Sequence, residues 1–255
     1  MSVDINQKYN QGTASIAAVI PAYNESSTIR DVVERTIPHA GLVVVVDDGS
    51  TDQTADIVSE LAVRLIRHPT NTGKGESIID GVNFALGQGA TWVVTLDGDG
   101  QHKPEDIPRL LAVARSQPGN IIIGSRMAHK GNFPVSRYRA NRFANFWISW
   151  AAGYAIEDSQ SGFRVYPGTL MQEKRIRDMN ARGFVFESEI LIEASRCGYQ
   201  SVPVEVDAIY STGVRMSHFR PVRDIALIVR MVAWKLISRG LYLQGLYRAL
   251  SPPQT

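Results

Sequence analysis

Cysteine is nearly absent from this sequence. Cys197 is the only one among 255 residues, so no disulfide can form within the chain. A chain without disulfides is typical of a reducing compartment. The N-terminal tail, residues 1–14, is polar and lacks the apolar core of a signal peptide, which argues against export. We therefore expect a cytoplasmic protein.

Long apolar runs are missing as well. In the second half of the chain, the longest stretch without a charged residue runs from Phe143 to Ile156, only 14 residues, and it contains Asn145 and Ser149. A membrane-spanning helix needs about 20 predominantly apolar residues. The stretch therefore predicts a buried or interfacial helix. With 44% hydrophobic and 20% charged residues, the chain has the composition of a folded protein with one large domain.

The net charge of +2 conceals a division between the two halves of the chain. Residues 1–130 carry 15 acidic and 11 basic side chains, whereas residues 131–255 carry 10 acidic and 16 basic ones, of which 14 are arginines. Arginine suits planar contacts with phosphates. The second half therefore suggests a phosphate-rich partner, either a nucleic acid or an anionic membrane surface.

Between residues 15 and 124, short apolar runs rich in β-branched residues alternate with helical patterns. The runs are Ile16–Ile20, Leu42–Val46, Trp92–Leu96 and Ile121–Ile123, with helical patterns near residues 27–36, 52–61, 77–86 and 104–115. Nearly uninterrupted apolar strands indicate a parallel sheet that is covered on both faces. The alternation predicts a doubly wound, mostly parallel α/β fold, in which ligands bind beyond the carboxyl ends of the strands.

Beyond residue 124 the alternation stops. The patterns predict helices near residues 139–155 and 186–196, a strand near 202–209 and a last helix after Pro221. This last helix has two apolar stripes, and a helix with two apolar faces must bury both. One face can pack on the rest of the chain, and the other can enter a lipid headgroup layer or contact a partner subunit. Trp147, Trp150 and Trp234 in the arginine-rich half favour the membrane.

The strongest signal for function is VVTLDGDGQH, residues 93–102. Asp97, Asp99 and Gln101 stand at alternate positions directly after a predicted strand, so an extended backbone points their side chains the same way. Three converging oxygen-bearing side chains suit a hard cation such as Mg²⁺ or Mn²⁺. Gly98 and Gly100 let the backbone approach a ligand closely. The alternative is a solvated turn rich in aspartate and glycine.

Two further polar motifs follow predicted strands. In VVVVDDGSTD, residues 43–52, Asp47 and Asp48 can accept hydrogen bonds from a ribose or a base. In VIPAYNESS, residues 19–27, Pro21 and Tyr23 can hold a base while Glu25 reaches the same ligand. Each motif also has a purely structural interpretation, as a turn followed by a capped helix start.

Several other polar residues receive no functional assignment from the sequence. NTGKGESIIDG, residues 71–81, is not a Walker A loop, because Gly75 follows Lys74 where serine or threonine is required. Glu187 and Glu189 begin a predicted helix, where the helix dipole favours carboxylates, and a role near a ligand is the less favoured alternative. The histidines have no spacing that indicates a metal site.

Taken together, these segments resemble the glycosyltransferase family 2 enzymes of the GT-A fold over roughly residues 15–220. DGDGQH, IIIGSRM at 121–127 and DSQSGFR at 158–164 look most like the dolichol- or polyprenyl-phosphate mannose synthase branch. The resemblance implies a metal-dependent, inverting hexosyltransferase. Such an enzyme would move a sugar from a GDP- or UDP-sugar to a dolichyl or undecaprenyl phosphate, with Mg²⁺ or Mn²⁺ as cofactor.

The resemblance also implies roles for individual residues. The nucleotide-sugar would be bound by Pro21, Tyr23, Glu25, Val46, Asp48, Asp97, Gly98 and Arg126. The metal would be held by Asp97, Asp99 and Gln101, and the catalytic residues would be Asp99, Arg126 and Asp158. Arg164 and the late loop STGVRMSHF, with Arg215 and His218, would offer positive charge to the acceptor phosphate.

Asp158 distinguishes two classes of acceptor. In relatives that glycosylate a hydroxyl, an aspartate in this region serves as general base. A lipid phosphate needs no base, because its second pKa is about 6. The structural alternative is that Asp158 accepts hydrogen bonds from the turn that follows it or pairs with Arg164. The hydroxyl-directed transferase therefore stays open as the second hypothesis.

Two other classes of protein are less favoured. A nucleotidyltransferase would have a loop rich in glycine and basic residues after the first strand, and PAYNESS contains neither. A nucleic-acid-binding module would not place acidic side chains at the strand ends, where they repel a phosphate backbone.

We accordingly divide the chain into a tail, residues 1–14, a catalytic domain, residues 15–220, and a C-terminal amphipathic helical segment, residues 221–255. Within the catalytic domain, residues 15–125 form the donor-binding half and residues 126–220 the acceptor half. We expect peripheral binding to an anionic membrane through the C-terminal segment, which is also a candidate surface for a homo-oligomer.

Overall fold

The computed structural model describes residues 15–127, 135–179, 185–207 and 221–250, without the side chains of residues 135–137 and 221–224. The predicted tail, residues 1–14, and the predicted phosphate ligands Arg215 and His218 lie outside these ranges. The strands are β1 Ile16–Ala22, β2 Leu42–Asp47, β3 Arg64–Arg67, β4 Trp92–Thr95, β5 Asn120–Ser125, β6 Arg164–Pro167 and β7 Gln200–Glu205. The helices of the first half are α1 Ile29–Thr36, α2 Thr54–Ser59, α3 Lys74–Gly87 and α4 Ile107–Ser116. Those of the second half are α5 Val135–Ala152, α6 Gly168–Gln172, α7 Lys174–Arg177, α8 Phe186–Arg196, α9 Pro221–Ile237 and α10 Leu243–Leu250.

The seven strands form one sheet in the order β3-β2-β1-β4-β6-β5-β7. All neighbouring pairs are parallel except those of β6, which runs antiparallel to both β4 and β5. The prediction of a doubly wound, mostly parallel α/β fold is confirmed. The apolar runs did not predict β3 or β6. β3 is a four-residue edge strand with arginine at both ends, and β6 begins with a buried arginine.

The two faces of the sheet are covered by different helices. Ala17, Val19 and the other alternate residues of β1 pack in a cluster with apolar residues of α3, α5, α8 and α9. Ala18, Ile20 and their counterparts in β2 pack with α1 and α4 on the opposite face. Because both faces are buried, the central strand β1 contains apolar residues at every position instead of alternating with polar ones.

The order of the strands creates a crevice at one edge of the sheet. From β1 the chain moves outward to β2 and β3, then returns to the other side of β1 as β4. The chain therefore runs from β1 toward one side of the sheet and from β4 toward the other. Doubly wound folds bind ligands at the carboxyl ends of the two strands between which the direction changes. β5 runs parallel to β4, since both are antiparallel to β6, so its carboxyl end reaches the same edge.

The C-terminal helices lie against the second half of the fold. Ile228, Val232 and Leu236 of α9 are buried in the same core cluster as α3 and α8. Trp150 of α5 donates its indole N–H to the carbonyl oxygen of Leu241, between α9 and α10, at 2.9 Å. Among the helices that the structure describes, none combines the length and the apolar content that crossing a bilayer requires.

Helix α3 packs close to the sheet at Gly81, and this contact can be tested. A Cβ at this position would overlap the side chain of Val19 and lie 3.0 Å from Val46. We expect Gly81→Ala to destabilise the fold by about 1–3 kcal/mol, because the helix would have to move off β1 and β2. Gly87→Ala in the same helix is the control, since a Cβ there meets no atom within 4 Å. Urea unfolding should show Gly87→Ala to be neutral or stabilising, and equal midpoints for both variants would contradict this packing.

Candidate active site

The loops after β1 and β2 are tied to each other. Asn24, which has a φ of 56°, accepts hydrogen bonds at its side-chain oxygen from the backbone N–H groups of Thr51, at 2.8 Å, and Asp52, at 3.3 Å. The N–H of Glu25 donates to the hydroxyl of Thr54 at 2.8 Å. These bonds make one rigid unit of the two motifs, PAYNESS and DDGSTD. Glu25 and Tyr23 are held beside the end of β4 as a result.

Asp48 anchors the loop that leads into α3. Its Oδ1 accepts hydrogen bonds from the N–H and the hydroxyl of Thr72, at 2.8 and 2.9 Å, and its Oδ2 accepts the N–H of Gly73 at 2.8 Å. His68 bridges Asp48 Oδ1, at 2.9 Å, and Asp80 Oδ2, at 3.0 Å. Burial lowers the pKa of His68, but the two carboxylates outweigh it and raise that pKa. Asp48, which the sequence predicts to bind the nucleoside, is thus only 3% exposed, and both of its carboxylate oxygens already accept hydrogen bonds within the protein.

Directly after β4, Asp97 meets a buried lysine. The ammonium of Lys74, the first residue of α3, lies 2.6 Å from Asp97 Oδ1 and 2.6 Å from Glu187 Oε1 in α8. Burial acts to raise the pKa of Asp97, but the charge of Lys74 and its basic neighbours outweighs it, so the pKa is lowered. A Cβ on Gly162 would lie 2.8–2.9 Å from these polar groups. Glycine therefore lets the loop before β6 close over the pair.

Glu25 and Asp99 form a region of excess negative charge. Burial, and then the charges of Asp99 and Asp97, raise the pKa of Glu25 to about 7. Burial, and then the charge of Asp97, raise the pKa of Asp99 to about 6. Oxygen donors that repel one another in this way suit a divalent cation, which would offset their charge. Within the described ranges, no three Asp, Glu, His or Cys side chains are grouped so as to hold a metal ion.

Arg126 and Asp158 meet on the opposite side of the crevice. Asp158 is 0% exposed, and its Oδ2 accepts the backbone N–H of Arg126 at 3.1 Å. Its Oδ1 accepts the N–H of Gln160 at 3.3 Å, and Arg126 Nε lies 3.6 Å from Oδ2. The positive charge of Arg126 also acts on the pKa values of Asp97 and Asp99. The structure therefore places Arg126 close enough to Asp97 and Asp99 to act on their charges, and it gives Asp158 the structural contacts of a turn.

Two of the predicted ligands have other surroundings. Arg164 is 0% exposed, and its guanidinium donates to the carbonyl oxygens of Ser159, Ser161 and Glu187 at 2.7–2.9 Å. It holds the loop before β6, and we do not retain it as a phosphate ligand. Val46 is also 0% exposed and belongs to the core under α3, so it presents no surface to a base.

The remaining predicted residues lie at the expected edge. Pro21 is in β1 beside Val46 of β2, and Tyr23 follows β1 half-buried. The carbonyl of Gly98 accepts a hydrogen bond from the hydroxyl of Thr28 at 2.7 Å. The N–H of Gln101 donates to Asp99 Oδ1 at 3.0 Å, so this pair forms one turn.

Three buried residues of the site received no role from the sequence, namely Lys74, His102 and Glu187. His102 is buried against Phe163, with ring centroids 5.3 Å apart. Burial, and then the charge of Arg126, lower its pKa to about 4, so the imidazole is neutral at pH 7. A signal for Lys74 was present, because a helix that follows a parallel strand begins at the carboxyl edge of the sheet. The sequence contains no comparable signal for Glu187, since its ion-pair partner Lys74 comes from α3.

The fold is a mostly parallel α/β fold of the GT-A type, and comparison with known proteins identifies the family. Residues 17–178 match the family described as "Glycosyl transferase family 2", and the chain belongs to this family of glycosyltransferases. The chain is 30% identical to a UDP-N-acetylglucosamine–dolichyl-phosphate N-acetylglucosaminyltransferase of Methanococcus voltae, a match covering 77% of this chain and 86% of that protein. It is 29% identical to a polyprenol monophosphomannose synthase of Mycolicibacterium smegmatis, covering 76% and 77%.

A solved structure has the same fold. Glucosyl-3-phosphoglycerate synthase from Mycobacterium tuberculosis, in complex with Mn²⁺, UDP and phosphoglyceric acid, superposes with a TM-score of 0.66. The match covers 94% of this chain and 83% of that one, at 21% identity. At this identity the likeness concerns the fold.

The burial of Glu25, together with its repulsion by Asp99 and Asp97, predicts how stability depends on pH in EDTA. Because the folded-state pKa of Glu25 is raised from 4.5 to about 7, the folded state loses stability as pH rises through this window. We expect Glu25→Gln to raise the melting temperature at pH 8 more than at pH 5. Solvent screens part of the repulsion, so we expect a rise of roughly 2–4 °C, the shift that about 1 kcal/mol produces.

Glu34→Gln is the matched control, because Glu34 is exposed on α1 and pairs only loosely with Arg30, at 3.7 Å. Thermal unfolding of both variants at the two pH values measures the effect. A Glu25→Gln protein that is no more stable than Glu34→Gln at pH 8 would show that no such repulsion exists.

Proposed function

We propose that this glycosyltransferase moves a sugar from a nucleoside-diphosphate donor to a polyprenyl phosphate. The assignment of a phosphate acceptor rests on the surroundings of Asp158. This residue is wholly buried, and both of its carboxylate oxygens accept hydrogen bonds from backbone N–H groups. A general base must reach the proton that it removes. A phosphate acceptor brings its own charge and needs a cation instead, and Arg126 lies beside Asp158. The relatives named for dolichyl phosphate and polyprenol support the same acceptor.

The donor would bind in the crevice between the loops after β1 and β4. Pro21 and Tyr23 would contact the base, and Glu25, Asp97 and the backbone of Gly98 would contact the rest of the donor. Asp48 would act through the loop that it anchors, since its oxygens are bonded to Thr72 and Gly73. The structural neighbour was solved in complex with UDP, which supports a nucleotide donor.

A divalent cation fits the residues after β4. Asp99 and Gln101 would hold it, and the raised pKa values of Asp99 and Glu25 reflect negative charge that a cation would offset. Asp97 is engaged by Lys74 and would bind the donor primarily. The bound cation would supply Lewis-acid stabilisation of the leaving nucleoside diphosphate. Mn²⁺ in the complex of the structural neighbour supports this assignment.

The acceptor phosphate would lie at Arg126, beside a cavity of about 380 Å³ between α5 and α10. Apolar and aromatic side chains line part of this cavity, among them Met127, Phe146 and Leu250, together with Arg142. Its volume is within the range of about 300–1,000 Å³ that small-molecule sites have. Met127 follows Arg126 directly, so a chain attached to a phosphate at Arg126 can enter the cavity. We assign the first isoprene units to this space.

The proposed reaction is a single in-line displacement with inversion. A phosphate oxygen of the acceptor forms a bond to the anomeric carbon while the bond from that carbon to the nucleoside diphosphate breaks. The acceptor phosphate is largely dianionic at neutral pH, because its second pKa is about 6. No proton has to be removed in the step. Arg126 would stabilise negative charge between acceptor and donor, as preorganised cations do in such sites.

The C-terminal helices would place this site at an anionic membrane surface. Eight of the eleven exposed large hydrophobic residues among those described lie in α9, α10 and their connection. They are Ile225, Val229, Trp234, Ile237, Leu241, Leu243, Tyr247 and Leu250. Residues 225–250 contain four basic side chains and no acidic one. Apolar side chains among basic ones are typical of peripheral binding to anionic lipid.

The acceptor class can be tested by two substitutions. With a detergent-solubilised undecaprenyl phosphate and a panel of GDP- and UDP-sugars, we expect wild-type transfer that EDTA abolishes. Asp158→Asn should lower kcat modestly, by less than about tenfold, because the turn loosens without the loss of a base. Glu157→Gln is measured in parallel, because Glu157 is the exposed carboxylate at the cavity and is the other candidate for a base. A loss of about a thousandfold in either well-folded variant would indicate a general base and a hydroxyl acceptor.

Membrane binding can be tested with vesicles. We expect the protein to sediment with vesicles that contain anionic lipid at low salt, and less at high salt, because exposed charges are screened. Trp234→Ser and Arg230→Glu should each weaken binding. Ile37→Ser is the control, as Ile37 is an exposed apolar residue in the donor-binding half. Recovery in the supernatant with anionic vesicles, together with a dimer that Trp234→Ser dissociates, would instead make this surface a subunit interface.

A further inference from the structure

The ion cluster of Lys74, Asp97 and Glu187 joins three elements that are distant in sequence. Lys74 begins α3, Asp97 follows β4, and Glu187 lies in the first turn of α8. The ammonium is 2.6 Å from one oxygen of each carboxylate. Only 17% of the Lys74 side chain and 5% of the Glu187 side chain are exposed, whereas 26% of Asp97 is. The exposed member is therefore the one that faces the crevice.

The charges of this cluster hold it together. Burial lowers the pKa of Lys74, but the charges of Asp97 and Glu187 outweigh it and raise that pKa, so the lysine is charged. Both Glu187 oxygens are buried, and no described residue gives them a well-directed hydrogen bond. The ion pair with Lys74 is what compensates the charge of Glu187 in the described part of the chain. A buried charge that loses its partner destabilises the fold strongly.

Lys74 is held at both ends, and this fixes the side chain of Asp97. The backbone N–H of Gly73, directly before Lys74, donates to Asp48 at 2.8 Å. The ammonium at the other end is shared between Asp97 and Glu187. One oxygen of Asp97 is therefore paired with an ammonium that Glu187 of α8 also anchors, so the orientation of Asp97 depends on α8. The helix that supplies this anchor belongs to the acceptor half of the chain.

A second glutamate of α8 shows what a purely structural ion pair looks like here. Glu189 Oε1 lies 2.7 Å from the ammonium of Lys235 in α9. This pair joins α8 to α9, on the side of α8 that carries the C-terminal helices. Glu187 and Glu189 thus lie on the same helix, and each pairs with a lysine. They differ because only the lysine of Glu187, Lys74, also reaches Asp97.

We propose that Lys74 and Glu187 are positioning residues that hold Asp97 in the orientation in which it binds the donor. The inference rests on the donor-binding role proposed for Asp97. Glu187 fixes Lys74, Lys74 fixes Asp97, and a helix of the acceptor half thereby sets the geometry of the donor site.

The test compares Glu187→Gln, Lys74→Met, the double variant of both and the control Glu189→Gln. Binding of GDP and UDP with Mn²⁺ is measured by calorimetry, and thermal unfolding is measured alongside. We expect Glu187→Gln to weaken nucleotide binding by about 10- to 100-fold, as loss of an outer partner of a ligand-binding residue does. Where transfer is detected, the KM for the donor should rise more than kcat falls. Glu189→Gln should leave nucleotide affinity unchanged.

The double variant separates positioning from stability. Lys74→Met leaves two carboxylates without their cation and should be the least stable protein, whereas the double variant removes one charge of each sign. We expect its melting temperature to recover relative to Lys74→Met while nucleotide binding stays weak. Nucleotide affinity that recovers together with stability would overturn the proposal, as would a Glu187→Gln protein that binds like Glu189→Gln. Normal nucleotide binding by the wild type without transfer to any polyprenyl phosphate would refute the proposed acceptor and leave this inference standing.

Discussion

The concentration of negative charge at the carboxyl edge of the sheet is the constraint on which the rest of this site depends. Glu25, Asp97 and Asp99 converge there because β1 and β4 are neighbours that run in the same direction. The protein offsets part of that charge internally with Lys74 and leaves the remainder, at Glu25 and Asp99, with raised pKa values. Carboxyl groups whose pKa values are raised by burial and by neighbouring negative charge destabilise the fold, and such groups are typical of binding sites. The cation-bound, phosphate-bearing donor that we propose would offset this charge.

The two sides of the crevice have opposite electrostatic character. The side that we assign to the donor consists of carboxylates that repel one another, whereas the side that we assign to the acceptor holds Arg126, with its Nε 3.6 Å from the buried carboxylate of Asp158. Asp158 orients Arg126 through its backbone N–H and partly neutralises it. An arginine fixed in this way can meet two phosphates without the cost of ordering its side chain. The same arrangement explains why an aspartate at this position need not be a base.

The acceptor half contributes more than acceptor contacts. Helix α8 reaches across the fold to Lys74, while α5 and α10 enclose the cavity beside Arg126. The exposed apolar residues continue from that cavity along α9 and α10. A lipid-linked phosphate drawn from a membrane surface would therefore meet Arg126 without leaving an apolar environment. Reaction geometry and membrane orientation are, in our proposal, properties of the same group of helices.

The sequence by itself determined the fold class and the family, and it predicts the edge of the sheet at which the candidate site lies. Uninterrupted β-branched runs report burial on both faces, because this pattern is local. The backbone after β4, expected to be extended, is instead a turn in which Gly100 has a φ of 73° and the N–H of Gln101 donates to Asp99, so alternation along the sequence does not decide which side chains converge there. Only the tertiary structure decided which of the polar residues at that edge are available to a ligand. Arg164 and Asp48 look like ligands in the sequence, yet the folded chain uses their polar atoms to hold its own loops. Lys74 and Glu187 are 113 positions apart, and no periodicity records that α3 and α8 meet at Asp97. Hydrogen-bond partners are set by contacts between distant segments, and for that reason the sequence predicts the location of the site better than the role of each residue in it.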